Sequence, residues 1–279
     1  MPRIALLANP ESGGGEAGEV AEMLSRRGAK VTTLEIGQHE KAVGLQPDRI
    51  AVAGGDGSIG CAADVARRIA APLAVIPVGT ANDFARSLGL PRDADAAADL
   101  AVRGTVTRAV DLGHADGRPF VNAASAGLSP IAAHEAHGLK RAFGTFAYAL
   151  GAVRAAFTAQ PVACRVRCDG EESFAGRAWQ VTVGVTGAFG GGAELDADPT
   201  DGVLDVAVIE AGPRSRLAVH AYGMRTGRLE RQERVRTRAG RAVDLELTEG
   251  NGFNIDGELV EGTALKLSVE PRAFAVVVP

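Results

Sequence analysis

Residues 1–110 alternate between short β-branched apolar runs and amphipathic stretches of helical period, and few architectures accommodate that rhythm. "RIALLAN" (3–9) reads as a buried strand, and "EAGEVAEMLSRRG" (16–28) as an amphipathic helix closed by Gly28. "KVTTLEI" (30–36) and "RIAVAG" (49–54) follow as strands, then "IGCAADVARRIA" (59–70) as a helix. "PLAVIPV" (72–78) is a fourth strand, and "NDFARSLGL" (82–90) a helix stopped by Gly89 and Pro91. Strands and helices in turn indicate βαβ units and a parallel sheet covered on both faces. Such open sheets bind ligands at the carboxyl ends of their strands. Three glycine-bearing turns, "NPESGGG", "GGDG" and "PVGTAND", leave strands at that edge.

The texture then changes. "TRAVDLG" (107–113) and "RPFVNAASAG" (118–127) read as strands around the turn "HADG", and a helical stretch follows over 131–157. Beyond it lie strand runs with turn signals, interrupted by one helix at 215–228. This second half is expected to be an antiparallel β-sandwich. The expected boundaries are 1–113 for the α/β domain and 114–270 for the β domain. The last run, 271–279, is a strand of either one.

Composition narrows the function. A formal net charge of −4 and 4% aromatic residues argue against a nucleic-acid footprint and against stacking platforms for bases. Cys164 and Cys168 share a strand face about 13 Å apart, too far for a disulfide. With only three cysteines and scattered histidines, a zinc site is not expected. The amino terminus lacks a signal peptide's apolar core, and no apolar run reaches the ~18 residues of a membrane span. A cytoplasmic chain with at most peripheral membrane contact is therefore expected. A homodimer is possible through exposed strand edges.

A single glycine turn is ordinary strand-to-helix geometry. Several facing one sheet edge are different, because their amides and the helix N-termini behind them suit phosphate oxygens. Asp56, set within "GGDGS", would repel a polyphosphate unless it manages a cation or a proton. "NIDGEL" (254–259) places Asp256 and Glu258 around Gly257, which on spacing alone reads as a hairpin turn with solvated acids. In "DPTDGVLDV" the acids Asp198, Asp201 and Asp205 could decorate a turn or hold a hard cation with backbone carbonyls.

These motifs, in this order, resemble the diacylglycerol kinase catalytic domain. "NPESGGG", "GGDGS" and "PVGTANDFARSLGLP" carry the likeness in the first half. "VDLG…FVNAASAGLS", "LKRAFGTFAYALGAV", "GGGAELDADPTDGVLDV" and "NIDGE" extend it over nearly the whole chain, in the pattern of bacterial lipid kinases. "GGDG" alone is shared with NAD kinases and phosphofructokinases. The resemblance implies an NAD-kinase-like α/β nucleotide-binding domain, a β-sandwich lipid domain, and phosphoryl transfer from ATP with Mg2+ to a lipid at the membrane surface. It points to Asn9, Pro10, Glu11, Ser12, Gly13, Gly54, Gly55, Asp56, Gly57, Ser58, Ile59, Gly60 and Thr80 as the nucleotide site. It assigns the metal to Asp201, with backbone carbonyls at Asp198 and Val203. It places Asp56 and Asp111 in a water network reaching that metal and Asp83 in the "GTAND" signature of the site, and either Glu258 or Asp56 is the general base. Ser58 stands where the family carries threonine, and "IGQHEK" lacks the threonine expected after the second strand. The alternatives are a kinase of a soluble, NAD-like substrate and a catalytically silent nucleotide- or lipid-binding regulator. In the stretch 131–157, Lys140 and Arg141 beside Phe143, Phe146 and Tyr148 read either as an ordinary helix face or as an anionic-membrane contact.

Overall fold

The structure, a computed structural model, describes residues 1–8, 14–128, 160–190, 192–248 and 252–279. The helical stretch expected over 131–157, with its basic and aromatic residues, lies outside them. The chain forms two compact units, Met1–Leu112 with Glu270–Pro279, and Gly113–Val269.

The first unit is built on parallel strands: β1 (Arg3–Ala8), β2 (Lys30–Glu35), β3 (Arg49–Gly54) and β4 (Leu73–Pro77). Their order is β2-β1-β3-β4, and the last strand of the chain, β17 (Ala264–Val277), joins β4 through Val276. β1, β3 and β4 are apolar almost throughout because both faces are covered, whereas β2, at the sheet edge, alternates and stays largely exposed. Ile4, Leu6 and Ala8 face α1 (Gly14–Arg26) and α5 (Ala94–Arg103) through Val20, Leu24, Ala97 and Ala101. α3 (Asp56–Ile69) packs on β3.

Two helices were not expected from the sequence. α2 (His39–Leu45) buries one residue, Ala42, and has no side-chain cap, so it leaves almost no periodic signal. α5 does have one: the Asp93 carboxylate accepts the Ala96 N–H at 2.9 Å, ahead of an alanine-rich run. Arg49 satisfies carbonyls at its other end, on Ala101 and Gly104. The expected helix over 82–90 shortens to α4 (Asp83–Ser87), because Gly89 at φ +66° turns the chain away.

The second unit is antiparallel. Its strands are the last three residues of β5 (Thr107–Ala115), which begins in the first unit, then β6 (Arg118–Phe120), β7 (Ala123–Gly127), β8 (Val162–Cys168), β9 (Glu171–Gly184), β10 (Ala188–Phe189), β11 (Ala193–Glu194), β12 (Leu204–Glu210), β13 (Val235–Gly240), β14 (Ala242–Leu247), β15 (Phe253–Ile255), β16 (Glu258–Val260) and the first half of β17. β9 pairs with β8 along its first half; its second half runs between β7 and β12. The pairing skips Trp179, so this bulged residue faces away from the main core toward Leu195, Ile209, Leu217 and Leu229. The main core holds Phe120, Phe174, Phe253 and the inward residues of β8, β12 and β14. Cys164 and Cys168 both point into it, and burial pushes the Cys164 thiol up to about 11, which keeps it unreactive.

Three Asp-Gly turns share one device. In Asp116-Gly117, Asp169-Gly170 and Asp256-Gly257 both residues take positive φ, closing two-residue hairpins. Each aspartate then reaches backbone amides of a neighbouring strand. Asp116 accepts from Lys266, Asp169 from Arg241 and Ala242, and Asp256 from Val121, Asn122 and Ala123 at 2.7–3.0 Å. This corrects two expectations. Residues 118–127 are not one strand, because the chain breaks at Val121–Asn122 to aim three amides at Asp256. Asp256 is also no solvated turn acid, but a staple between segments far apart in sequence.

Candidate active site

In the first unit the turn after β3 is tighter than expected. Gly54 ends the strand, Gly55 is the N-cap, and Asp56 already begins α3. The amides of Asp56 and Gly57 therefore lie in the first helical turn, where N–H groups lack intrahelical acceptors and partial positive charge collects, while the Ser58 N–H donates to the Gly55 carbonyl at 3.0 Å. Ile59 and Gly60 continue the helix and are buried. A Cβ on Gly79 would lie 2.6 Å from the Gly55 Cα and 2.8 Å from Asn82 Oδ1, so the two glycine turns meet backbone to backbone.

Asp56 ties these turns together. Its carboxylate oxygens accept the Asp83 N–H at 3.1 Å and the Phe84 N–H at 2.9 Å, at the start of α4. Asn82, at φ 50°, sits ahead of α4 and donates from Nδ2 to the Gly79 carbonyl at 2.8 Å. Its buried Oδ1 has no hydrogen-bond partner among the described residues. Thr80 is exposed beside it. Asp83 is buried with Arg86 at 2.8 Å. Asp111 is fully buried, and its carboxylate accepts the Arg272 N–H at 2.6 Å, anchoring the bend of β17. The structure thus brings Gly54–Gly60, Gly79, Thr80 and Asp83 to one place. Asn9–Gly13 lie outside the described residues.

In the second unit Glu258 differs sharply from its neighbour Asp256. It opens β16, its side chain is 55% exposed, and its carboxylate is held by the Arg118 guanidinium. Asn254 completes the hairpin by accepting the Gly257 N–H at 2.9 Å, while its buried Nδ2 has no partner among the described residues. Arg118 was missed by sequence reasoning. It is 140 residues from Glu258, and only the β5–β6 hairpin and the Asp256 staple bring them together.

The acidic loop before β12 has a different character. Asp198 accepts the Thr200 N–H and hydroxyl, and Asp201 accepts the Val203 N–H at 3.1 Å. Among the described residues no three acidic, histidine or cysteine groups converge as a closed metal cage. Asp205 is nonetheless pushed up to about 7, first by burial and then by Asp201, Glu230, Asp196 and Asp198. Glu230 was not foreseen. It comes from the turn after the helix at Leu217–Arg225 and adds a fifth carboxylate. Uncompensated charge among hard oxygen donors is what a divalent cation suits.

The sign of the pH dependence follows. Between about pH 4 and about pH 7 the folded chain keeps a proton on Asp205 that the unfolded chain, at 3.8, has already lost. This group's contribution to stability therefore falls as pH rises through that window. Thermal unfolding in a chelator should show that decline, and Asp205→Asn should flatten it.

Residues 3–115 match the model of the diacylglycerol kinase catalytic domain, and residues 122–278 that of the YegS C-terminal NAD kinase beta sandwich-like domain. The chain is 33% identical over 249 residues to a probable lipid kinase YegS-like protein of Pseudomonas aeruginosa, covering 86% of this chain and 80% of that one. It is 28% identical to a diacylglycerol kinase of Mycobacterium tuberculosis, covering 99% and 95%. A crystal structure of a diacylglycerol kinase from Bacillus anthracis superposes with a TM-score of 0.77 at 22% identity, over 100% of this chain and 97% of that one. An Archaeoglobus fulgidus NAD kinase in complex with ATP reaches 0.55 at 14% identity, covering 99% and 93%, a likeness of fold.

Proposed function

Given that the chain belongs to the diacylglycerol kinase family, we propose that it transfers the γ-phosphoryl group of ATP to the free hydroxyl of a diacylglycerol or closely similar lipid. One contrast carries the choice of base. Asp256 and Asp56 have their carboxylates engaged by backbone amides, whereas Glu258 is exposed and held only through a side-chain ion pair.

The nucleotide's phosphates accept hydrogen bonds from the first turn of α3, at the Asp56 and Gly57 amides and the Ser58 hydroxyl, where the helix end favours negative charge. Gly54, Gly55 and Gly79 keep side chains out of that approach, and Thr80 offers a hydroxyl. Asn9–Gly13 supply further amides, as the family resemblance implies. Asp56 acts by holding α3 and α4 in register, and Asp83 and Asp111 support the same scaffold. When bound, Mg2+ would neutralise phosphate charge, with Asp198, Asp201 and the Val203 carbonyl to hold it. A lipid hydroxyl is a weak nucleophile, so Glu258 takes its proton as the oxygen attacks phosphorus. Arg118 keeps the carboxylate oriented until the acceptor arrives and must then yield one oxygen.

Among the described residues no helix is long and apolar enough to cross a membrane. The enzyme would meet its substrate peripherally, at a cytoplasmic membrane surface. An acceptor panel tests the function: γ-labelled ATP is supplied with diacylglycerol in mixed micelles, with other lipid alcohols, and with NAD in buffer alone. Label in the lipid phase supports the proposal. Label on NAD, or ATP bound without turnover on any acceptor, overturns it.

A further inference from the structure

Among the described residues, helix α6 (Leu217–Arg225) is packed through one side, which buries Leu217, His220 and Gly223. Leu217 packs with Trp179, Leu195, Ile209 and Leu229. His220 is buried and shares a 2.7 Å hydrogen bond with Gln232 Oε1, while Gln232 Nε2 donates to the Val219 carbonyl at 2.9 Å. A Cβ on Gly223 would collide with the Gln232 amide, so a larger residue there would push this clamp aside. The other side carries Ala218, Val219, Ala221 and Tyr222, with no acidic residue in the helix. Val219 is 55% exposed and Tyr222 64%. Three residues apart, they lie on one helix face.

The charge around this face is as unusual as its hydrophobicity. Residues 214–241 contain nine arginines, two glutamates, and no lysine or aspartate, in a chain of net charge −4. Part of that excess has local employment. Arg214 lies over the Trp179 ring, Arg216 pairs with Glu233, and Arg236 pairs with Glu210. Arg236 and Arg238 also guard the edge of β13, which among the described residues pairs with β12 alone. Glu230 stands in the field of Asp205. Arg225, Arg228 and Arg231, on the last turn of α6 and the segment after it, have no ion-pair partner among the described residues and are exposed. The other exposed large apolar side chains, such as Leu45 and Val106, occur singly on different elements and need no explanation.

We propose that α6 and the turn after it seat the chain on an anionic bilayer. Val219 and Tyr222 enter the headgroup layer, and Arg225, Arg228 and Arg231 meet lipid phosphates. The surplus of unpaired arginine beside an apolar face with no acid selects an anionic lipid surface over a neutral apolar partner. Tyr222, apolar along its ring and polar at its tip, suits that depth. The proposal rests on the lipid-kinase reading only in so far as a lipid acceptor resides in a bilayer.

The test is sedimentation of the full chain with phosphatidylcholine vesicles, with and without phosphatidylglycerol, at low and high salt. Binding should require phosphatidylglycerol and weaken with salt. Arg228→Gln/Arg231→Gln should lower partitioning about 30-fold, from roughly a fivefold loss per arginine. Val219→Ser/Tyr222→Ser should lower it to a similar degree at unchanged melting temperature. Equal binding to both vesicle types, no binding, or variants that bind like the wild type would overturn the proposal. So would a concentration-dependent dimer that the Val219/Tyr222 variant abolishes while vesicles are ignored. Phosphorylation of micelle-dispersed diacylglycerol, measured on the same variants, keeps this separate from the kinase reading: it should survive in both. Vesicle binding stands even where no lipid is phosphorylated.

Discussion

Glu258→Gln is expected to lower kcat for lipid phosphorylation by about 10²–10⁴-fold, the range a positioned general base contributes. Glutamine keeps the size and hydrogen-bonding capacity of the side chain and removes only its ability to take a proton. The ion pair with Arg118 is lost, but at an exposed site that costs at most about 1 kcal/mol, so the melting temperature should hardly move. Affinity for ATP should change less than about threefold if the group acts only in the transition state. Asp256→Asn gives the opposite profile. Weakening a carboxylate that serves three amides should cost about 1–3 kcal/mol in urea unfolding. In the fraction that stays folded, turnover should then be lost only as far as the hairpin carrying Glu258 shifts. The two variants therefore separate chemistry from scaffolding within three residues. An E258Q enzyme of wild-type kcat would remove Glu258 from the base role.

Gly79→Ala should damage both the fold and nucleotide binding of the first unit. Its Cβ would stand 2.6 Å from the Gly55 Cα, and no flexible side chain is there to give way. Separating the two turns strains the Asp56 contacts to α4 and misaligns the amides at the start of α3. Overpacking of this kind costs about 1–3 kcal/mol, and ATP affinity should fall at least about tenfold. Gly44→Ala is the control, because nothing lies within 4 Å of a Cβ there and α2 is helical. It should leave binding untouched and stabilise the chain by about 0.5–1 kcal/mol. Differential scanning fluorimetry and nucleotide titration on the pair check both statements.

What could be read from the sequence divides along physical lines. β1, β3 and β4 were legible because strands covered on both faces are apolar throughout, and the α/β-then-β order follows from the change in periodicity. α2 was not, since a helix that buries one alanine has no apolar stripe. The break at Val121–Asn122 was hidden because a carboxylate supplied from elsewhere in the chain overrides local propensity, and the helical start at Asp56 because no side chain caps it. The site shows the same pattern. Acids in glycine turns stand out, but the sequence does not say which are bound by amides and which meet solvent. Asp256 and Glu258 look equivalent in "NIDGEL" and are not. Arg118 gave no sign, because partners 140 residues apart share no spacing.

Recovery of γ-label in phosphatidic acid, when the purified chain and Mg·ATP are given diacylglycerol in micelles, reports the chemistry itself. A single-turnover time course should yield lipid-extractable label at close to one per active site in the wild type and almost none in Glu258→Gln at equal ATP occupancy. Label confined to the aqueous phase, or identical lipid labelling by both proteins, would contradict a lipid kinase whose base is the exposed glutamate of the last Asp-Gly hairpin.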